Sequence, residues 1–243
     1  MSTLGRIEQL KAVALRKLIH VVLSVFLIIP FIIDLSNYGL TNTLYFTVIA
    51  LGASIIYAVQ VKRPIITLVI IDAITSVRKS ILQQLSKSPI GSVIFLETVE
   101  DGLIRLEKTF KDLLETVERD YERRSGYLGI LMGAIGVLLS QLLVGNYVIY
   151  GIMSLIIYDT MSALGGVLMG RVKLPFSNAT MEGALIGMAS LALVLYLITG
   201  RLIGTFAITV TAALAEAYGI EDNLAIPITT SLIAAALGMP IIT

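Results

Sequence analysis

Long apolar runs alternate with short polar breaks along most of this chain. Runs at 18–36, 43–61, 126–144, 147–170, 183–199, 202–218 and 224–242 each approach the length of about 17–25 residues that crosses a hydrocarbon core as a helix. The pattern predicts an all-α integral membrane protein of about seven transmembrane helices, with 1–243 as a single membrane domain. The breaks at 37–42, 145–146 and 200–201 are short, which predicts helical hairpins on either side of them.

The pattern changes between 62 and 125. Residues 65–86 begin apolar around Asp72 and turn polar at Arg78-Lys79, which predicts an interfacial or half-buried helix. From Val99 the apolar positions continue as Leu103, Leu106, Phe110, Leu113, Val117 and Tyr121, spaced alternately four and three. Asp101/Arg105, Glu107/Lys111, Glu115/Arg119 and Asp120/Arg124 lie four apart with the acid first, the order that supports a helix. The pattern predicts a cytoplasmic amphipathic helical insertion over 62–125, between spans two and three. It either lies on the protein's own inner face or pairs with a second subunit in a homodimer.

Composition narrows the class. Of 243 residues 56% are hydrophobic and 14% charged, against about 25% charged in average globular chains. There is no Cys, which excludes disulfides and thiolate chemistry. A net charge of +1 makes no case for nucleic acid. Four cations precede the first apolar run, but no small-residue cleavage site follows it, so a cleavable signal peptide is not expected. With the predicted spans, 17 of the 18 Lys and Arg residues fall on one side and Arg201 alone on the other. The positive-inside rule then puts the N-terminus in the cytoplasm and the C-terminus outside.

That orientation gathers the unusual polar residues at the cytoplasmic face. Arg16, Lys17 and His20 begin span one, and Arg123 and Arg124 begin span three. Arg171, Lys173 and Glu182 line the connection between spans four and five; Glu216, Asp222 and Asn223 flank the turn before span seven. Asp159 is the deepest of them. A charged side chain within a span costs about 2.5–3.5 kcal/mol on insertion scales, so it marks a functional site by default. Asp159, Ala163, Gly166 and Gly170 share one helical face, narrow enough for another backbone or a ligand. Four acids at one face repel unless a cation joins them, and hard oxygen donors suit Mg²⁺.

These residues resemble a known family. RKLIH at 16–20, RRSGYLG at 123–129, D-x3-A-x6-GR at 159–171, EG at 182–183 and ALAEAYGIEDNLAIPI at 213–228 stand in the order seen in the polyprenol kinases. These are the CTP-dependent lipid-alcohol kinases acting on dolichol, phytol and, in the yeast type, diacylglycerol; phosphatidate cytidylyltransferases are more distant relatives. The resemblance spans nearly the whole chain outside 64–120, and its most specific piece is Glu216, Asp222, Asn223 and Pro227. It implies transfer of the γ-phosphoryl group of CTP to a lipid hydroxyl at the cytoplasmic membrane face, with Mg²⁺ or another divalent cation. On that pattern Asp159 and Glu216 resemble metal or base residues, and Asp222 and Asn223 nucleotide- or metal-site residues. Arg16, Lys17 and His20 resemble phosphate or substrate contacts, Gly165, Gly166 and Gly170 would let the nucleotide or lipid approach the backbone, and Glu182 and Gly183 belong with the binding residues. Two departures stand out. Tyr158 occupies the position before the acid where the family has Gly, and Ala179-Thr180-Met181-Glu182-Gly183 lacks the family's lysine, leaving Arg171 or Lys173 to supply that charge.

Two other readings compete: a lipid-phosphate cytidylyltransferase making a CDP-lipid, and a membrane transporter whose acids form an ion pathway.

Overall fold

In the computed structural model, the residues described are 3–62 and 128–242, with scattered helical positions between 75 and 108. The chain resolves into two compact units, residues 1–55 with 128–243, and residues 56–127. The first unit is almost wholly helical, and no strand occurs among the described residues. Its helices are α1 (Thr3–Ile32), α2 (Asn42–Lys62, which runs on past its boundary), α3 (Leu128–Val144), α4 (Val148–Met153), α5 (Asp159–Met169), α6 (Met181–Thr199), α7 (Leu202–Tyr218) and α8 (Asp222–Ala236). A π-helical turn, Ser154–Tyr158, joins α4 to α5 without a break.

The ends of these helices follow from local chemistry. The Thr41 hydroxyl accepts the Leu44 N–H at 3.1 Å ahead of α2, and Thr180 accepts from the Gly183 N–H at 3.2 Å to cap α6, satisfying amides that have no intrahelical partner. The breaks carry Gly39, Gly145 and Gly200 at φ of +70, +59 and +64, a backbone region open to glycine but crowded for a residue with a Cβ. The short polar breaks in the sequence are therefore tight reversals. α1 begins well before the apolar run that announced it and stops at Ile32, because the polar Asp34-Leu35-Ser36-Asn37 segment forms its own short 3₁₀ turn capped by Asp34.

Packing is tightest where glycines let helices touch. α5 lies on α6 and α3 on α8, with α7 against both α6 and α8. A Cβ on Gly136 of α3 would come within 2.8 Å of the Pro227 ring of α8, and one on Gly187 of α6 within 2.9 Å of the Tyr158 ring. Small residues at such contacts are the usual means of helix association in lipid. One apolar cluster is built on Tyr150, Leu191, Leu195, Ile208 and Ile226. A second, built on Leu27, Phe46, Val137, Ile152 and Leu155, ties α1 and α2 to α3 and α4.

Among the described residues, three helical stretches are long and apolar enough to cross a membrane: Asn42–Val59, Leu128–Met169 and Met181–Thr199. His20–Ile32 and Leu202–Tyr218 are shorter apolar helices. On α2, Leu44, Val48, Leu51 and Ile55 form an exposed stripe at helical spacing. Such a stripe is a liability in water and ordinary in lipid.

Candidate active site in the helix bundle

Lys17 and His20 are three residues apart on α1 and so lie on one face of it. Opposite them, the Asp159 N–H bonds the Ser154 carbonyl, the i to i−5 spacing of a π turn. Such turns inside α-helices are frequent at functional sites. This one delivers Tyr158 and Asp159 as consecutive buried residues at the start of α5, with Ser162 one turn further on.

Lys17 Nζ lies 2.5 Å from Asp159 Oδ2, and the two side chains are only 7% and 2% exposed. His20 Nε2 is 3.5 Å from the same oxygen. Beside this group, the Glu216 carboxylate of α7 accepts a hydrogen bond from the Tyr158 hydroxyl at 2.6 Å. The Ser162 hydroxyl lies 2.7 Å from each Glu216 oxygen. Asp159 and Lys17 both lie within electrostatic range of Glu216, and Asp222 within range of His20. Two carboxylates are thus kept in one apolar bundle by different means. Asp159 has a cation against it, and Glu216 has two hydroxyl donors. Removing two charges from water costs several kcal/mol per ion after relaxation, recovered only with good geometry and further hydrogen bonds. Such an arrangement is characteristic of a functional site more than of a device for stability.

The other sequence-derived candidates distribute differently. Glu182 accepts the Arg171 N–H at 3.0 Å and the Val172 N–H at 3.2 Å, so its carboxylate clasps the connection that precedes α6. Arg171 and Lys173 are exposed on that connection. Gly166, Gly170 and Gly183 make close contacts within the chain itself. A Cβ on Gly166 would meet the Thr180 hydroxyl, one on Gly170 the Thr180 side chain, and one on Gly183 the Ser162 carbonyl. The narrow face of α5 is accordingly covered by α6 and the residue that caps it. Asp222 Oδ1 accepts the Asn223 N–H at 2.8 Å in the first turn of α8, and Asn223 lies near Gly133 and Gly136 of α3. The Arg16 side chain, Arg123 and Arg124 lie outside the described residues, as does most of the amphipathic pattern from Val99 to Tyr121.

Tyr158 and Ser162 complete the cluster, and the sequence reading did not single them out as site residues. A signal was present: Tyr158, Asp159 and Ser162 fall at i, i+1 and i+4 in a largely apolar run, which puts all three hydrogen-bonding groups on adjoining faces of a helix.

No family model, curated protein or solved structure matches this chain significantly.

Proposed function

We propose that this chain is a lipid-alcohol kinase of the polyprenol kinase type, transferring the γ-phosphoryl group of CTP to a dolichol-like or other isoprenoid alcohol at the cytoplasmic face. The observation that carries the reading is the meeting of Lys17, His20, Asp159 and Glu216 in one polar cluster, with Lys17 and Asp159 buried and His20 and Glu216 half-buried. RKLIH, the D-x3-A-x6-GR segment and the E-x5-DN segment, three of the five pieces on which the resemblance rests, each contribute to it.

The topology that goes with this reading has seven crossings. Leu128–Met169 is 42 residues long, about 63 Å of helix at 1.5 Å per residue. That is about twice the hydrocarbon thickness of ~30 Å, and the reversal at Gly145 divides it into two passes. With α1, α2, α6, α7 and α8 crossing as well, the Lys/Arg asymmetry supports a cluster toward the cytoplasmic side.

In the reaction, the alcohol oxygen forms a bond to the γ-phosphorus while the bond from that phosphorus to the β–γ bridging oxygen breaks. The products are a lipid phosphate and CDP. Phosphoryl transfer depends mainly on positioning and charge neutralisation. Asp159 takes the hydroxyl proton, its carboxylate held in place by Lys17 and flanked by His20. Lys17 brings the nearest cation to the phosphate oxygens, and Tyr158 and Ser162 fix the Glu216 carboxylate. The lipid tail stays in the bilayer, which accounts for a kinase made almost entirely of apolar helices.

Among the described residues, no group of three or more His, Asp or Glu side chains could hold a metal ion by itself. The hard carboxylate oxygens of Asp159, Glu216 and Asp222 nevertheless suit Mg²⁺ arriving with a nucleotide, since that ion is commonly bound by one or two carboxylates plus phosphate oxygens and water. When bound, it would neutralise charge on the transferring phosphates.

Product analysis tests the proposal. Purified protein incubated with CTP, Mg²⁺ and a polyprenol, geranylgeraniol or diacylglycerol is expected to release CDP and form a lipid phosphate. Pyrophosphate with a CDP-lipid, formed from a lipid phosphate substrate, would make the chain a cytidylyltransferase instead.

A further inference from the structure

The connection between α5 and α6 is a loop closed by its own backbone hydrogen bonds. Leu174 N–H bonds the Ala179 carbonyl at 2.9 Å, Met181 N–H bonds the Val172 carbonyl at 2.8 Å, and Lys173 pairs with Thr180 in an antiparallel bridge. At its tip, Ser177 N–H closes a four-residue turn onto the Leu174 carbonyl at 3.2 Å. Pro175 stands second in that turn, and Phe176 third with φ +58. This is the signature of a type II turn, whose third position ordinarily takes Gly because a side chain crowds the left-handed region. Here the position holds an aromatic residue that is 104% exposed. Its ring therefore contributes nothing to the chain's own core.

Charge adds a second observation. Arg171 and Lys173 are exposed on the same loop. Glu182, the only acid between 160 and 200, is turned onto the Arg171 and Val172 amides. Placement adds a third. The loop joins two of the stretches long and apolar enough to cross a membrane, Leu128–Met169 and Met181–Thr199. Both of its ends therefore lie where a crossing helix leaves the hydrocarbon. Aromatic side chains and cations concentrate at this level of a bilayer, the ring in the apolar boundary and the charges among lipid phosphates.

We propose that loop 171–180 is an interfacial anchor, in which Phe176 inserts at the headgroup–acyl boundary of the surrounding bilayer while Arg171 and Lys173 pair with anionic lipid headgroups. The anchor is independent of the kinase reading and holds for either orientation of the chain.

The chain contains no Trp and no Cys, so single reporters are straightforward. The full-length Phe176→Trp protein, reconstituted in vesicles containing phosphatidylglycerol, is expected to be quenched by brominated acyl chains and shielded from aqueous iodide. Adding Arg171→Gln and Lys173→Gln, or replacing phosphatidylglycerol by phosphatidylcholine, is expected to raise iodide quenching at least twofold. A Phe206→Trp protein, with the reporter on the exposed face of α7, checks that the chain is inserted. An environment-sensitive dye on Asn178→Cys gives a second reading of the loop should the first variant fold poorly. Iodide access equal to that of free tryptophan, with no effect of brominated lipid, would overturn the anchor. Insertion that is unchanged in phosphatidylcholine and in the double Gln variant would overturn its electrostatic half.

Discussion

The Tyr158 hydroxyl donates to Glu216 Oε2 at 2.6 Å, joining the π-helical turn ahead of α5 to the C-terminal half of α7. The Tyr158 ring lies where a Cβ on Gly187 would stand, so the phenol and the glycine fit one another. Tyr158→Phe keeps the ring and removes the donor. A hydrogen bond to a charged group contributes about 1.5–3 kcal/mol. The variant is expected to unfold earlier by about that amount in a thermal or denaturant titration in detergent, with activity reduced because Glu216 loses one of its two hydroxyl donors.

The Lys17–Asp159 pair predicts a strongly non-additive cycle. Breaking a buried pair from one side leaves an uncompensated charge and costs about 3–5 kcal/mol. Lys17→Met and Asp159→Asn are each expected to destabilise on that scale, whereas the double variant recovers most of the loss. Stability measured across the four proteins checks this; two simply additive losses would mean the pair is not coupled.

Gly187→Ala is expected to destabilise through overpacking. Its Cβ would stand 2.9 Å from the Tyr158 ring and from Ser162 Cβ, and forced extra atoms in a packed core cost about 1–3 kcal/mol. Tyr158→Phe leaves both contacts in place, whereas Tyr158→Ala removes the ring contact and leaves the one with Ser162 Cβ. Adding Gly187→Ala to a Tyr158→Ala background is therefore expected to cost less than adding it to the wild type, with the Ser162 contact accounting for the remainder.

Glu182→Ala removes the acceptor of the Arg171 and Val172 amides. Both hydrogen bonds are exposed, so water takes over as acceptor and the effect is a local loosening of the 171–180 loop. Limited proteolysis is expected to cleave this loop faster in the variant than in the wild type, while cleavage elsewhere stays the same.

How much of this was legible in the sequence depended on whether the signal was periodic. Apolar run lengths predicted the helices, and the Gly-containing breaks predicted the reversals at Gly39, Gly145 and Gly200. Lys17, His20, Asp159 and Glu216 were legible because charged or imidazole side chains stand out in apolar runs. The π turn was not. Ser154–Tyr158 reads SLIIY, with no Gly or Pro to mark a change of helical pitch, and that change sets where Tyr158 and Asp159 face. Tyr158 itself reads as core until its hydroxyl is seen on Glu216. The glycines of α5 signalled close approach correctly but not what approaches, since a helix neighbour and a ligand require the same missing Cβ. Glu182 illustrates the opposite limit: an acid at the start of a helix is equally suited to ligand binding and to clasping the backbone before it, and only the fold distinguishes the two.

The proposed nucleotide binding has its own signature. A ligand that binds only the folded state at about a hundredfold excess over its dissociation constant adds about 2.7 kcal/mol. Thermal unfolding with Mg²⁺ is expected to shift upward with CTP more than with ATP, GTP or UTP, and the shift is expected to shrink in Lys17→Met measured against its own nucleotide-free midpoint.

The most direct measurement is transfer of label from γ-labelled CTP to a polyprenol by the protein in lipid nanodiscs with Mg²⁺, comparing the wild type with Asp159→Asn. Labelled polyprenyl phosphate is expected with the wild type. Its rate of formation is expected to fall by about 10²–10⁴-fold in the variant, the scale on which a positioned acid–base group acts. Absence of labelled lipid with polyprenol, geranylgeraniol and diacylglycerol alike, or an undiminished rate in Asp159→Asn, would contradict it.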